Sequence, residues 1–245
     1  MAKQIIFISS LLFHLCSCAQ SGCTDPQANN FDPNALTNDG SCSYPATSYS
    51  MTLINNLSDQ VQENSGLIRV GNFLYSFNDS GSDAKIYELD TTGAVQRSIV
   101  LTGATNVDWE AITSNSTHVF IGDFGNNSGN RQNLCVYRFL KSDLLLDTIV
   151  AEKLPFYWSD QVQFNAQANA HNFDCEAFVA REDSLVLFSK NWLNLYTRRY
   201  VLPVYWTDTI AAMVQDSFFV DGLITDAGLS PDQNRTFLLG YKNNG

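Results

Sequence analysis

The chain has 245 residues, of which 44% are apolar, 12% aromatic and only 16% charged, which is ample for one well-buried domain. Its formal charge of −11 argues against nucleic acid or an anionic membrane surface as partner, because phosphates are held by clustered Lys and Arg. Aromatic and β-branched residues are abundant and long helical periodicity is missing, so the expected class is all-β.

In chain order, residues 1–19 read as an export signal. Lys3 supplies a short positive region, Ile5 to Leu15 an apolar stretch, and Ser17-Cys18-Ala19 a small-residue cleavage zone. The apolar stretch is too short to span a bilayer, and no later segment is long enough. Cleavage after Ala19 is the first expectation. Leu15-Cys16-Ser17-Cys18 is also a loose lipoprotein box, which would leave Cys18 lipidated at the outer surface. Either way the mature chain is exported, where disulfides are stable. Cys23, Cys42, Cys135 and Cys175 then remain, and four cysteines allow three pairings.

Residues 22–44 read GCTDPQANNFDPNALTNDGSCSY. The segment resembles a short cysteine-bounded repeat, roughly GCTDPxAxNYxPxAxxDDGSCxY, of secreted proteins from marine Bacteroidetes. It departs from that pattern at Phe31 and Asn38. A Cys23–Cys42 bridge would order a loop that contains almost no apolar residue. Asp25, Asp32 and Asp39, with Asn29, Asn30 and Asn34, offer the hard oxygens that calcium takes. Their spacing is not that of an EF-hand loop, and the same residue types serve a turn-rich spacer equally well.

From residue 50 onward the chain repeats itself. Segments starting at Glu63, Asp108, Asp174 and Thr225 each open on an acidic or small polar residue, pass through Ala or Gly and a polar turn, and close on an apolar strand. Leu67 to Asn78, Ile112 to Asp123 and Phe178 to Ser189 each span 11 residues. Further strands are expected at 85–90, 134–140 and 196–203. The repeat length, about 45 to 66 residues, is that of a four-stranded propeller blade with variable loops. A sandwich gives no reason for a recurring motif at a fixed interval. The expected fold over 50–245 is therefore a β-propeller. The fourth unit stops at LLGYKNNG, halfway through a blade, which predicts an incomplete set of about three and a half blades. Two or three more would lie beyond Gly245, in a protein that is a monomer when complete.

DWEAI with IGDFGNNSGNR, FDCEAF with LFSKNW, and LITDAGLSPD resemble a family of exported Bacteroidetes propellers. Members often carry a C-terminal sorting domain for type IX secretion, and the resemblance implies no settled activity. A looser likeness to phytase-like and esterase-like propellers implies a calcium-dependent hydrolase. LPFYWSD at 154–160 and LPVYWTD at 202–208 look like the YWTD motif of lipoprotein-receptor propellers. Tyr157 falls 47 residues after Glu110 and Tyr205 only 29 after Glu176, so the two copies are out of phase and are read as coincidence.

In such a fold the acidic motif and the loop GDFGNNSGNR project to one mouth of the central channel. That mouth is expected to gather Asp108, Glu110, Asp123, Asn126, Asn127 and Arg131 with Asp174, Glu176, Lys190 and Asn191, and with Asn78 and Asp79. His171 is placed on the same face. Converging carboxylates repel, and three arrangements relieve this. Calcium binds them, a raised pKa turns a pair into an acid and a base, or each acid accepts backbone amides and locks blade to blade. Trp109 and Trp192 are read as packing residues. Cys135 and Cys175 either bridge or stay as two buried thiols. The chain has no Gly-x-Ser-x-Gly elbow and no His-Glu-x-x-His pair, so serine-hydrolase and zincin chemistry have no support. The loop GDFGNNSGN lacks the lysine of a phosphate loop. With His118 and His171 alone after the signal, a histidine-rich metal centre is excluded. The expected function is an exported propeller that binds a ligand or partner with calcium at its acidic mouth. The alternatives are the hydrolase and a purely structural surface or adhesion module.

Overall fold

Short runs of alternating or continuous apolar residues, punctuated by Asn, Asp and Gly, fold as strands. The computed structural model describes residues 20–46, 48, 50–164 and 167–242. The expected export signal lies outside them. Among the described residues there is no α-helix, only a 3-10 turn at Lys141–Leu145. The all-β class expected from composition is what the chain adopts. No helix among the described residues is long and apolar enough to cross a membrane.

The chain divides into two units, Met1–Met51 and Thr52–Gly245. In the first, β1 (Ser21–Gly22) and β2 (Thr37–Asn38) pair in parallel. Cys23 and Cys42 are bonded, with their Cα atoms 4.7 Å apart. The polar residues between them make turns. Asp25 accepts from the Gln27 amide (2.9 Å), Asp32 from Asn34 (2.8 Å) and Asp39 from Ser41 (2.9 Å). The second oxygens of Asp25 and Asp32 accept from Tyr44 and Gln20, both at 2.8 Å.

The second unit is a series of antiparallel meanders, each strand pairing with the next. The first runs β3 (Asn64–Val70), β4 (Phe73–Asn78), β5 (Lys85–Leu89) and β6 (Val95–Thr102). The second runs β7 (Trp109–Ser114), β8 (His118–Asp123) and β9 (Cys135–Leu140). The chain then adds β10 (Thr148–Val150) parallel to β6, on the outer edge of the first meander, and returns as β11 (Glu152–Trp158) beside β9. The third is β12 (Asp174–Ala180), β13 (Ser184–Lys190), β14 (Tyr196–Pro203) and β15 (Ile210–Phe219). A last hairpin joins β16 (Leu223–Leu229) and β17 (Thr236–Tyr241). A short parallel pairing of β11 with β15 joins the second and third meanders into one eight-stranded sheet, whose end strands β7 and β12 lie against each other. That sheet is nearly closed and barrel-like.

Cores fill the spaces between successive meanders. Phe77, Ile99, Trp109, Ile121 and Tyr137 belong to one, with Phe77 edge-on to Trp109 at 5.5 Å. Phe124, Phe156, Trp158, Phe178 and Tyr200 belong to the next, where Phe124 meets Phe178 edge-on at 5.2 Å. Each such ring contributes roughly 1.5–3 kcal/mol by leaving water. A third cluster holds Ala177, Val179, Val186, Phe188 and Ile224. The two YWTD-like stretches fall at unlike positions, the end of β11 and the turn after β14. Cys135 and Cys175 are free, buried thiols in separate cores.

One irregularity recurs. The first strand of each meander, and of the hairpin, slips register by one residue near its start. The extra residue is Ser65 in β3, Glu110 in β7, Glu176 in β12 and Thr225 in β16. Such a bulge leaves one residue unpaired and re-aims its side chain. The cores record the effect. Trp109 and Ile112 lie in one cluster and Ala111 in the other, as though Glu110 did not count in the alternation. Cys175 and Phe178, with Ala177 in the opposite cluster, repeat the pattern around Glu176. The pairing also corrects the alignment of the fourth repeat. Thr225 is the equivalent of Glu110, not of Asp108, so the sequence match there was offset by two residues.

Candidate functional site

The four bulged residues converge. Ser65, Glu110, Glu176 and Thr225 all line one cavity of about 430 Å3, together with Asn64, Asp79 and Asp226. Gly66, Leu67 and Leu239 supply its apolar wall. Bulging explains why the second acid of each DxE motif, and not the first, turns into the cavity.

The first acid of the second motif is committed elsewhere. Asp174 is fully buried, and its Oδ1 accepts the amides of Asn126 (2.8 Å) and Cys175 (3.0 Å) while Oδ2 accepts the Trp192 indole N–H (2.9 Å). Asp123 is equally buried. It accepts the Asp108 amide at 3.0 Å and pairs with Arg131 at 2.7 Å. Asn126 holds the two meanders together through Phe173 O and orders its own loop by accepting from the Arg131 amide. Asn78 turns away to Gln60 O and the Gln62 amide. His171 is buried between Asn127 O and the Phe173 amide. For these residues the strut reading describes the geometry, and repeated burial with full hydrogen bonding is what such groups need.

Asp79, Asp108 and Glu110 are different. One oxygen from each lies within 4.8 Å of the others, and among the described residues this is the group of acids close enough to share an ion. Glu110 is 7% exposed and makes no side-chain hydrogen bond or ion pair with any described residue. Burial, and then the charges of Glu176, Asp108, Asp79 and Asp174, push its carboxyl up to about 10. Asp108 is pushed up to about 6 by burial, against the pull of Arg131 and with the help of Asp79, Asp174 and Asp123. Gly125 lies directly beneath this pair. A Cβ there would sit 2.3 Å from Glu110 Oε1 and 2.4 Å from Asp108 Oδ2, so glycine is what lets both carboxyls rest on the backbone.

Glu176 has a partner that Glu110 lacks. Lys190, only 5% exposed, donates to its Oε1 at 2.5 Å. Burial pushes Glu176 up, against Lys190. For Lys190, burial is the largest influence and works against the charge, but the Glu176 hydrogen bond and the charges of Glu176, Asp174 and Tyr241 together hold the ammonium above its usual range. The ammonium also sits over the rings of Trp192 (4.5 Å) and Tyr241 (5.5 Å). Asp226, which the sequence reading did not single out, lines the cavity and is pushed up by burial.

Of the residues expected at the channel mouth from sequence, the structure thus brings Asp79, Asp108, Glu110 and Glu176 together. It commits Asn78, Asp123, Asn126 and Asp174 to neighbouring backbone groups. Ser65, Thr225 and Asp226 went unmarked because their units do not spell DxE. The ladder register, which would have found them, is not visible in composition.

No protein-family model and no curated protein matches the chain. Among solved structures, it is similar to a candidate 6-phosphogluconolactonase from Bacteroides uniformis, at 13% identity and a TM-score of 0.39 over 75% of this chain and 52% of that one. The chain spans about half the length of that structure. A likeness of this degree assigns neither a fold family nor an activity.

Proposed function

We propose that the chain is an exported β-propeller whose meanders are blades around the bulge-lined cavity. It binds a divalent cation of the calcium class at Asp79, Asp108 and Glu110, and through that cation a ligand. The observation that carries this reading is Glu110, a residue more than nine-tenths buried whose carboxyl makes no hydrogen bond with any described residue, beside two further acids. A buried acid without a partner is costly, and a cation is the partner its surroundings fit. Oxygens on opposite sides of a calcium at 2.3–2.6 Å are up to about 5 Å apart, in line with the 4.8 Å limit of the triad. Recurring four-stranded meanders packed through their first strands support the propeller.

Calcium titration of the full chain, stripped with chelator, tests the reading by calorimetry and by melting. Calcium is expected to bind with a dissociation constant in the sub-millimolar to millimolar range typical of extracellular sites, on the order of 10⁻⁴–10⁻³ M. Glu110→Gln is expected to abolish it. An unchanged melting temperature in several millimolar calcium, or an undiminished response in Glu110→Gln, would refute the proposal.

One observation favours a hydrolase as second reading. Glu110 and Glu176 occupy equivalent bulges, but only Glu176 has an ammonium beside it, and unlike environments separate an acid from a base. Turnover of phosphate or carboxylic esters that Glu176→Gln eliminates would favour that reading over binding alone.

A further inference from the structure

We infer that the ligand of this cavity is a neutral polyhydroxylated molecule of sugar or polyol size, recognised by the bulge residues on the wall beyond the cation. The inference rests on the cation reading above. Its first ground is a census of what the wall can offer. Asp226, the Asn64 side-chain carbonyl and the Glu176 oxygen not held by Lys190 accept hydrogen bonds, Thr225 both donates and accepts, and Ser65, whose hydroxyl proton points to Glu63 O at 3.5 Å, accepts. Acceptors outnumber donors, so the ligand must bring donors of its own.

The second ground is the charge. Neither buried cation near the cavity is free to meet an anion. Lys190 is closed off by Glu176 and the rings of Trp192 and Tyr241, and Arg131 by Asp123 and by Gly125 O at 2.7 Å. A phosphate or carboxylate group would face Asp226 and Glu176 with one divalent ion as its only support. An organic ammonium would compete for the carboxylates that hold the ion. A neutral polyol does neither. Vicinal hydroxyls fill coordination positions that three carboxylates leave open on a six- to eight-coordinate ion, and the remaining hydroxyls reach the bulge residues.

The third ground is shape. The cavity, about 430 Å3, falls within the range of small-molecule sites, roughly 300–1,000 Å3, and is too small for a folded partner's surface. Leu67 and Leu239, both more than half exposed, stand on its rim. They offer an apolar surface to the C–H face of a sugar ring.

The test uses the full chain and begins with calcium alone, so that failure of the cation reading is seen before any ligand is added. With calcium bound, D-mannose, D-glucose and myo-inositol are titrated by calorimetry, with glucose 6-phosphate as anionic arm and ethanolamine as cationic arm. At least one neutral polyol is expected to saturate, at least tenfold tighter than either charged probe and only when calcium is present. Thr225→Val and Ser65→Ala are each expected to weaken that polyol fivefold or more. Two variants guard against misfolding in one. Tighter binding of glucose 6-phosphate or ethanolamine, no saturation by any of the three polyols, or polyol binding unaffected by both variants would overturn the inference while calcium binding stands.

Discussion

At the scale of single residues, acids that look alike in the repeat do opposite work. Asp174 is a strut. Changing it to Asn keeps one acceptor and turns an NH2 group toward N–H donors, so the loop–strand junction at Asn126, Cys175 and Trp192 is expected to lose about 2–4 kcal/mol. Urea unfolding monitored by tryptophan fluorescence would measure it. Glu110 behaves in the reverse way without metal. Its folded pKa of about 10 stands above the usual 4.5, so the folded state holds the proton more tightly than the unfolded chain does. This group's contribution is intact below about pH 4.5 and is lost progressively as the pH climbs toward 10. Asp108, raised to about 6 from 3.8, adds the same trend over its own narrower window. The chelated protein should melt at falling temperature from pH 6 to 9, and Glu110→Gln should flatten that slope. Calcium, which needs the charged carboxylates, should stabilise more as the pH rises. Level melting temperatures for both proteins across that range would contradict the assigned burial. Sequence made the acids visible as repeated DxE, but not this division. Asp108 and Asp174 look alike on paper, and only the contacts of Asp123, Asn126 and Gly125 separate a strut from a member of the acidic triad.

At the scale of strands, the bulges decide which side chains face where. A one-residue slip in a regular strand sends every side chain to the wrong face. Here the extra residue is already outside the alternation, since Trp109, Ala111 and Ile112 face alternate cores once Glu110 is skipped. Deleting Glu110 is therefore expected to leave the fold standing, at a cost below roughly 2 kcal/mol by the usual scale of single changes. Deleting Ile112 two positions later should cost at least about 3 kcal/mol, because Thr113 would take an apolar seat. Circular dichroism with chemical denaturation distinguishes the two, and equal losses would mean that the bulge is not the register device described. The positions of several strands were legible from the 11-residue interval and the turn residues, but not the parallel joins of β10 to β6 and β11 to β15. The bulge was not, because Ser65, Glu110, Glu176 and Thr225 share a backbone position and no common side chain.

At the scale of the whole chain, the two units are stabilised by different means. The second is built on aromatic cores. The first has Asx turns and one bridge across a 19-residue separation, worth about 3 kcal/mol through loop closure. Cys23→Ser with Cys42→Ser should make residues 20–51 the first target of limited proteolysis and leave the melting of the remainder within about 1 °C. A large drop in the main transition would refute that division. Here the sequence was informative for a plain reason: a segment so poor in apolar residues has few means of order besides a staple and its own turns.

The unpaired state of the bulge residues has one more consequence. Residues 65, 110, 176 and 225 have no direct cross-strand partner in their own ladders, so the ladders do not dictate their identity, and only Glu176 is tied to a buried partner, Lys190. A lineage, or a designer, can rewrite the cavity at residues 65, 110 and 225 while the cores stay as they are. The residues that line the cavity and those that fill the two aromatic cores are separate sets.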